Sequence, residues 1–138
     1  MAAIPLLRSR YPLLAPLSAA AMGLATVGAL LVIDPNEAGH YPTCPFLAAT
    51  GLQCPGCGTL RAIHALLHGD PVAAVGFNVL SVAMLPVLLW AWGGWTRSSL
   101  RGRPRAPTIP APVVFAFVAV VVAFWVLRNT PAFAYLAP

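Results

Sequence analysis

The sequence predicts an all-α integral membrane protein with three transmembrane helices and a short interfacial helix after a cysteine-containing turn. Of its 138 residues, 59% are hydrophobic and only 8% are charged, whereas soluble domains have roughly 25% charged residues. Three long stretches carry no formal charge. At about 1.5 Å of rise per helical residue, each can cross a hydrocarbon core of roughly 30 Å. We therefore predict a single membrane domain with spans at about residues 13–33, 72–95 and 110–127.

The distribution of arginine predicts the orientation of these spans. All eight basic residues are Arg: two precede the first span, four lie in or beside the connection at 96–106, and the loop at 34–70 holds only Arg61. Because cytoplasmic loops accumulate Arg and Lys, we expect the N-terminus inside and the cysteine loop outside. The basic connection lacks interleaved aromatic residues, which argues against nucleic-acid binding. We expect it to contact membrane lipid.

Each span has local signals for its limits. The first run is longer than the apolar region of a signal peptide, about 7 to 15 residues, and no A-x-A site follows it, so we predict a retained anchor. Asp70 can cap the second span and Pro71 fits its first turn, while Pro86 predicts a kink. Asn78 must bond to another helix or to the cysteine loop, because an unpaired amide is costly there. Arg128 ends the third span, and we expect it to reach the lipid headgroups.

The segment CPGC, residues 54–57, is the candidate functional site. A type II turn with Pro55 and Gly56 at its centre places two sulfurs close together. The sequence TLRAIHALLH predicts a short helix at about 59–68, with Leu60, Ile63 and Leu67 on the face that packs against the spans or the membrane interface.

Three kinds of chemistry remain open for this loop. A helix N-terminus and Arg61 predict a low pKa for Cys57, as in a redox-active dithiol with Cys54. CPGCG is typical of a zinc knuckle, which gives two ligands, Cys54 and Cys57. Cys44 can be the third ligand and His40, His64 or His68 the fourth. We favour His40, because the helix holds His64 about 10 Å from Cys57. A structural disulfide from Cys44 to Cys54 or Cys57 is the third alternative.

A combination of short motifs carries a resemblance to a known family: Cys44-Pro45, Thr50-Gly51-Leu52, CPGCG, Arg61, Gly69-Asp70, Ala73-Ala74 and Asn78. It resembles small bacterial membrane proteins of unknown function that share Cys-Pro-x-Cys-Gly followed closely by Thr-Arg. Here Leu60 precedes Arg61, and Thr59 lies one position earlier. The resemblance implies a helical membrane fold and one constellation of residues, in which Arg61 and Asp70 can form an ion pair: Cys44, Cys54, Cys57, Arg61, Asp70 and Asn78.

The sequence favours a protein that is not an enzyme, because it has no Ser/His/Asp set, only three acidic residues and no cofactor fingerprint. We expect no catalytic residue and no cofactor. The predicted function is an accessory or assembly subunit in the bacterial cytoplasmic membrane. Its cysteine-stabilised outer loop would serve an envelope complex through a membrane-protein partner or a second copy of the chain. The alternative is a membrane thiol-disulfide or zinc-binding protein acting through Cys54 and Cys57.

Overall fold

The computed structural model describes residues 13–37, 39–102 and 109–137, and in these ranges the chain is helical without strands. We label the α-helices in chain order: α1 Leu14–Val32, α2 Pro45–Thr50, α3 Thr59–Leu67, α4 Pro71–Leu100 and α5 Ala111–Arg128. A 3₁₀ helix follows at Pro131–Leu136. The helices α1, α4 and α5 are long and apolar enough to cross a membrane. The fold class predicted from the sequence is therefore confirmed.

Four of the Arg residues that predict the orientation, Arg8, Arg10, Arg103 and Arg105, lie outside the described residues. Within the described part, Arg97 lies in the last turn of α4.

The small helix α3 packs against the start of α4. Ala62 and Ala65 of α3 and Ala74 of α4 are the buried centre of this contact, because small side chains allow the two backbones to approach closely. Leu60, expected on the packing face, is 38% exposed. The buried face of α3 is thus its alanine side, which a search for large apolar residues does not detect.

The first helix is attached at both ends. Near its start, the carbonyl of Pro16 accepts a hydrogen bond of 3.1 Å from the indole N–H of Trp92. Near its end, the carbonyl of Leu30 lies 2.7 Å from Nδ1 of His64, which therefore carries the donated proton. These two bonds hold α1 against α4 and α3.

The backbone of α4 leaves the helical conformation at Asn78, where φ is −165° and ψ is 93°. Pro86, where we predicted the kink, is not the residue at which helical dihedrals are lost. Asn78 caps the helical segment that resumes after it, since its Oδ1 accepts a 3.0 Å hydrogen bond from the Ser81 N–H as an N-cap would. The interruption faces the cysteine loop.

Candidate functional site

Three sulfur atoms lie together in the segment that connects α1 to α4. The Sγ atom of Cys54 is 3.1 Å from that of Cys57 and 3.5 Å from that of Cys44, and all three lie within 4.8 Å of one another. Each is a free, partly buried thiol. Cys44 directly precedes α2, and Cys57 lies two residues before α3. The cluster is therefore formed by the starts of two helices and by the turn that joins Cys54 to Cys57. His40 does not join it: its Nδ1 is 3.2 Å from a carboxylate oxygen of Glu37.

Two hydrogen bonds join the two ends of the cysteine turn, residues 54–57. The Cys57 N–H donates to the Cys54 carbonyl at 3.1 Å, and the Cys54 N–H lies 3.3 Å from the Cys57 sulfur. Gly58 has φ of 83°, in the left-handed region, whereas Gly56 does not have a positive φ. The turn is therefore not the type II turn that we predicted, since that type requires positive φ at Gly56. The glycine that the backbone requires is Gly58, which directly precedes α3.

Asn78 holds the cysteine turn, residues 54–57, through hydrogen bonds to its backbone. Its Nδ2 donates to the carbonyls of Pro55 and Cys57 at 2.9 and 3.0 Å, and the residue is 1% exposed. A second link joins the hydroxyl of Thr59 to that of Ser81 at 2.7 Å. Of the two partners expected for Asn78, another helix or the cysteine loop, the structure shows the loop.

Arg128 binds the same turn from the end of α5. One guanidinium nitrogen donates to the carbonyls of Cys54 at 3.0 Å, Cys57 at 3.2 Å and Pro55 at 3.4 Å. The other donates to Oε1 of Gln53 at 3.1 Å. Arg128 is only 2% exposed, so the prediction that it reaches lipid headgroups is wrong. The reason is that carbonyls of the turn, distant in sequence, provide the acceptors.

Asn129 attaches the adjacent backbone. Its Oδ1 accepts from the Gln53 N–H at 2.9 Å, and its Nδ2 donates to the Gln53 carbonyl at 2.9 Å. Both backbone groups of Gln53 are thereby satisfied. The sequence analysis did not identify Gln53 or Asn129. The only signal was an Arg-Asn pair at the end of a charge-free run.

The charge of Arg128 has no carboxylate partner among the residues that the structure describes. In that part of the chain, the acidic groups within reach of a basic side chain are Glu37, beside His40, and Asp34, beside His64. The partners of Arg128 are neutral carbonyls and a side-chain amide. A buried charge without a counter-charge costs several kcal/mol, on the order of 3 to 5. The titratable side chains whose charge would act on this guanidinium are those of Cys54 and Cys57.

Arg61 and Asp70, which the resemblance groups with the cysteines, do not contact each other in the structure. The Arg61 guanidinium lies 5.5 Å from the centre of the Phe77 ring. The Asp70 carboxylate caps α4 by accepting the Ala73 N–H at 2.9 Å. No ion pair between Arg61 and Asp70 forms in this described region, because each side chain is engaged elsewhere.

The thiols differ in acidity. Burial raises the pKa of the Cys57 thiol to about 11, and its hydrogen bond with the Cys54 thiol acts in the same direction. The low pKa predicted for Cys57 from the helix start and Arg61 is therefore wrong, because desolvation disfavours the thiolate and is the largest effect on this group. A hydrogen bond from the Leu47 amide lowers the pKa of Cys44. Cys57 thus lacks the acidity typical of a redox-active nucleophile.

A half-open cleft of about 530 Å³ lies over the sulfur cluster. All three cysteines line it, together with Arg61, Glu37 and other residues of the loop. The sulfurs are therefore on the wall of a cavity of the size that binds small molecules, about 300 to 1,000 Å³.

Comparison with known proteins identifies one relationship. Residues 44–92 match the family described as protein of unknown function (DUF2752). This confirms the resemblance to an uncharacterised family and places the cysteines and Asn78 in the matched region. No curated protein and no solved structure matches the chain.

Proposed function

We propose that this membrane protein binds one thiophilic divalent metal ion, zinc in the first instance, through Cys44, Cys54 and Cys57. The observation that carries the proposal is the mutual approach of three sulfurs, with separations of 3.1 and 3.5 Å and none above 4.8 Å. Zinc–sulfur bonds of about 2.3 Å in a tetrahedron place sulfurs about 3.8 Å apart. The cluster therefore matches the size of a metal site before any rearrangement.

A disulfide accounts for this cluster less well. A disulfide needs a sulfur separation of about 2.05 Å, joins only two of the three cysteines and has no charge. A divalent ion bound by three thiolates has one net negative charge. That charge would compensate the buried guanidinium of Arg128, whose described partners are all neutral.

The local backbone supports the same chemistry. The Cys54 N–H lies 3.3 Å from the Cys57 sulfur, and such amide contacts favour the thiolate that a metal requires. Asn78 and Arg128 hold the carbonyls of the turn from two different helices. The ligands are thus positioned by the spans, and the metal would fasten the outer loop to them.

The experiment uses the full chain purified in detergent under reducing conditions. We expect about one zinc ion per chain by elemental analysis, and a sulfur-to-cobalt charge-transfer band when Co²⁺ replaces zinc. Substitution of Ser for Cys44, Cys54 or Cys57 should weaken Co²⁺ binding and reduce the band by at least about one third, because one of three Co–S bonds is lost. His40→Ala is the matched control and should retain it, because His40 lies outside the sulfur cluster. A reduced wild-type chain that binds neither metal would exclude the proposal.

The side of the membrane and the partners belong to the same proposal. The excess of Arg before α1 and after α4 supports an outward-facing metal loop under the positive-inside rule. The accessory or assembly role stays a prediction. The exposed apolar residues of the long helices suit lipid and a partner helix equally.

A further inference from the structure

We infer that the metal takes its fourth ligand from outside the chain, and that this ligand is a thiolate of a small molecule or a peptide. This inference rests on the proposed metal site and extends it from a closed structural centre to an exchange centre. Zinc sites with a purely structural role have four protein ligands, whereas sites with three protein ligands keep one exchangeable position.

Only three protein ligands are available among the described residues. Within that part of the chain, the groups of His, Cys, Asp or Glu close enough to share an ion comprise the three cysteines alone. His40 lies beside Glu37. His64 donates from Nδ1 to the carbonyl of Leu30. Neither histidine completes the site in the observed arrangement.

The fourth position would open into the cleft. All three ligand cysteines line this cavity of about 530 Å³, so a donor that enters it can reach an ion held between the sulfurs. The volume is sufficient for a cysteine-sized molecule or for one side chain of an extended peptide.

Charge favours a thiolate over neutral donors. Arg61 lines the same cleft as the three cysteines, and Arg128 binds the carbonyls of the cysteine turn, so two guanidinium groups belong to the surroundings of the sulfur cluster. Arg61 is oriented by the ring of Phe77 at 5.5 Å. Glu37 lines the same cleft, but His40 lies 3.2 Å from its carboxylate. These two guanidinium groups would favour a second net negative charge on the metal centre. A thiolate also matches the soft thiolate ligands already present.

The test titrates the Co²⁺-loaded, full-length protein in detergent with N-acetylcysteine. A parallel arm uses a short peptide with one cysteine. We expect the sulfur-to-cobalt band to grow saturably by about one third, because four Co–S bonds replace three. Imidazole at equal concentration should not produce this increase. Tighter binding of N-acetylcysteine assigns the ligand to free thiols, and tighter binding of the peptide assigns it to a protein segment.

Arg61→Gln should weaken thiol binding roughly fivefold, the effect of one partly exposed charge, and Co²⁺ binding by a similar factor, because each step adds one negative charge to the metal centre. Arg97→Gln, in the last turn of α4, is the matched control and should change neither. A Co²⁺ spectrum unaffected by thiol, or release of Co²⁺ by thiol, overturns this inference but leaves the metal site intact. Failure of the wild-type chain to bind Co²⁺ removes both.

Discussion

Removal of the buried charge of Arg128 should weaken metal binding much more than it weakens the fold. The carbonyls that Arg128 contacts keep other donors: the Cys57 N–H for Cys54, and Asn78 for Pro55 and Cys57. In Arg128→Met, the loss of charge-assisted bonds, about 1.5 to 3 kcal/mol each, is offset by the release of a buried charge that costs several kcal/mol. We expect the metal-free protein to change in stability by less than about 2 kcal/mol.

The metal-bound state should respond differently. A guanidinium on the order of 6 Å from a centre with one net negative charge contributes about 3 kcal/mol at an effective dielectric constant of about 20. This value corresponds to roughly a hundredfold in dissociation constant. Arg128→Lys keeps the positive charge but not the planar guanidinium with its several donors. Its metal affinity should fall by about tenfold or less.

The assay is competition of each variant with a chromophoric chelator for Zn²⁺ or Co²⁺, combined with thermal unfolding of the metal-free protein in the same detergent. Arg97→Met serves as a control for loss of an Arg elsewhere on the chain. Equal metal affinity of Arg128→Met and wild type, with a folded variant, would refute the assignment of the sulfurs as the counter-charge. Equal losses in Arg128→Met and Arg128→Lys would show that hydrogen bonding, not charge, is responsible.

Three further predictions concern the turn. Gly58→Ala should lower the unfolding free energy by about 1 to 2 kcal/mol, because φ there is 83°. Gly56→Ala, whose added Cβ meets no atom closer than 3.9 Å, should stay within about 0.5 kcal/mol in the same thermal assay; similar losses would contradict our description of the turn. Asn78→Ala removes donors to two carbonyls and the cap inside α4, so we expect a loss of about 2 to 4 kcal/mol; an unchanged melting temperature would contradict this. In the metal-free protein, the rate of Cys57 alkylation, measured by mass spectrometry, should keep rising up to about pH 11, since burial raises the pKa of this thiol to about 11. Cys44 should react at lower pH, because its pKa is lowered. The reverse order would contradict the burial argument.

The sequence was sufficient for the fold class and for the residues that approach one another in the turn. Charge-free runs longer than a bilayer need little tertiary information, and CPGC fixes two sulfurs locally. The helix at Thr59–Leu67 was also detectable from its flanking glycines, although its buried face was not. Local patterns therefore identified the centre of the site.

The surroundings of the site could not be derived in the same way. Arg128 contacts Cys54 across 74 positions of sequence, and an Arg at the end of an apolar run is equally suited to lipid headgroups. The interruption of α4 was assigned to Pro86, the stronger local breaker, because the contacts of Asn78 with Pro55 and Cys57 are tertiary. The prediction of a low pKa for Cys57 failed for the same reason, since the burial of its thiol depends on tertiary packing that a local motif does not show.

The attachment of the cysteine turn to the end of α5 has a consequence for biosynthesis. The ribosome completes the loop long before it reaches Arg128 and Asn129, so the nascent loop lacks two of its supports until the last span has been made. Loading with metal before that point would occur without the balancing cation. We therefore expect the loop to reach its supported conformation only after α5 has been synthesised.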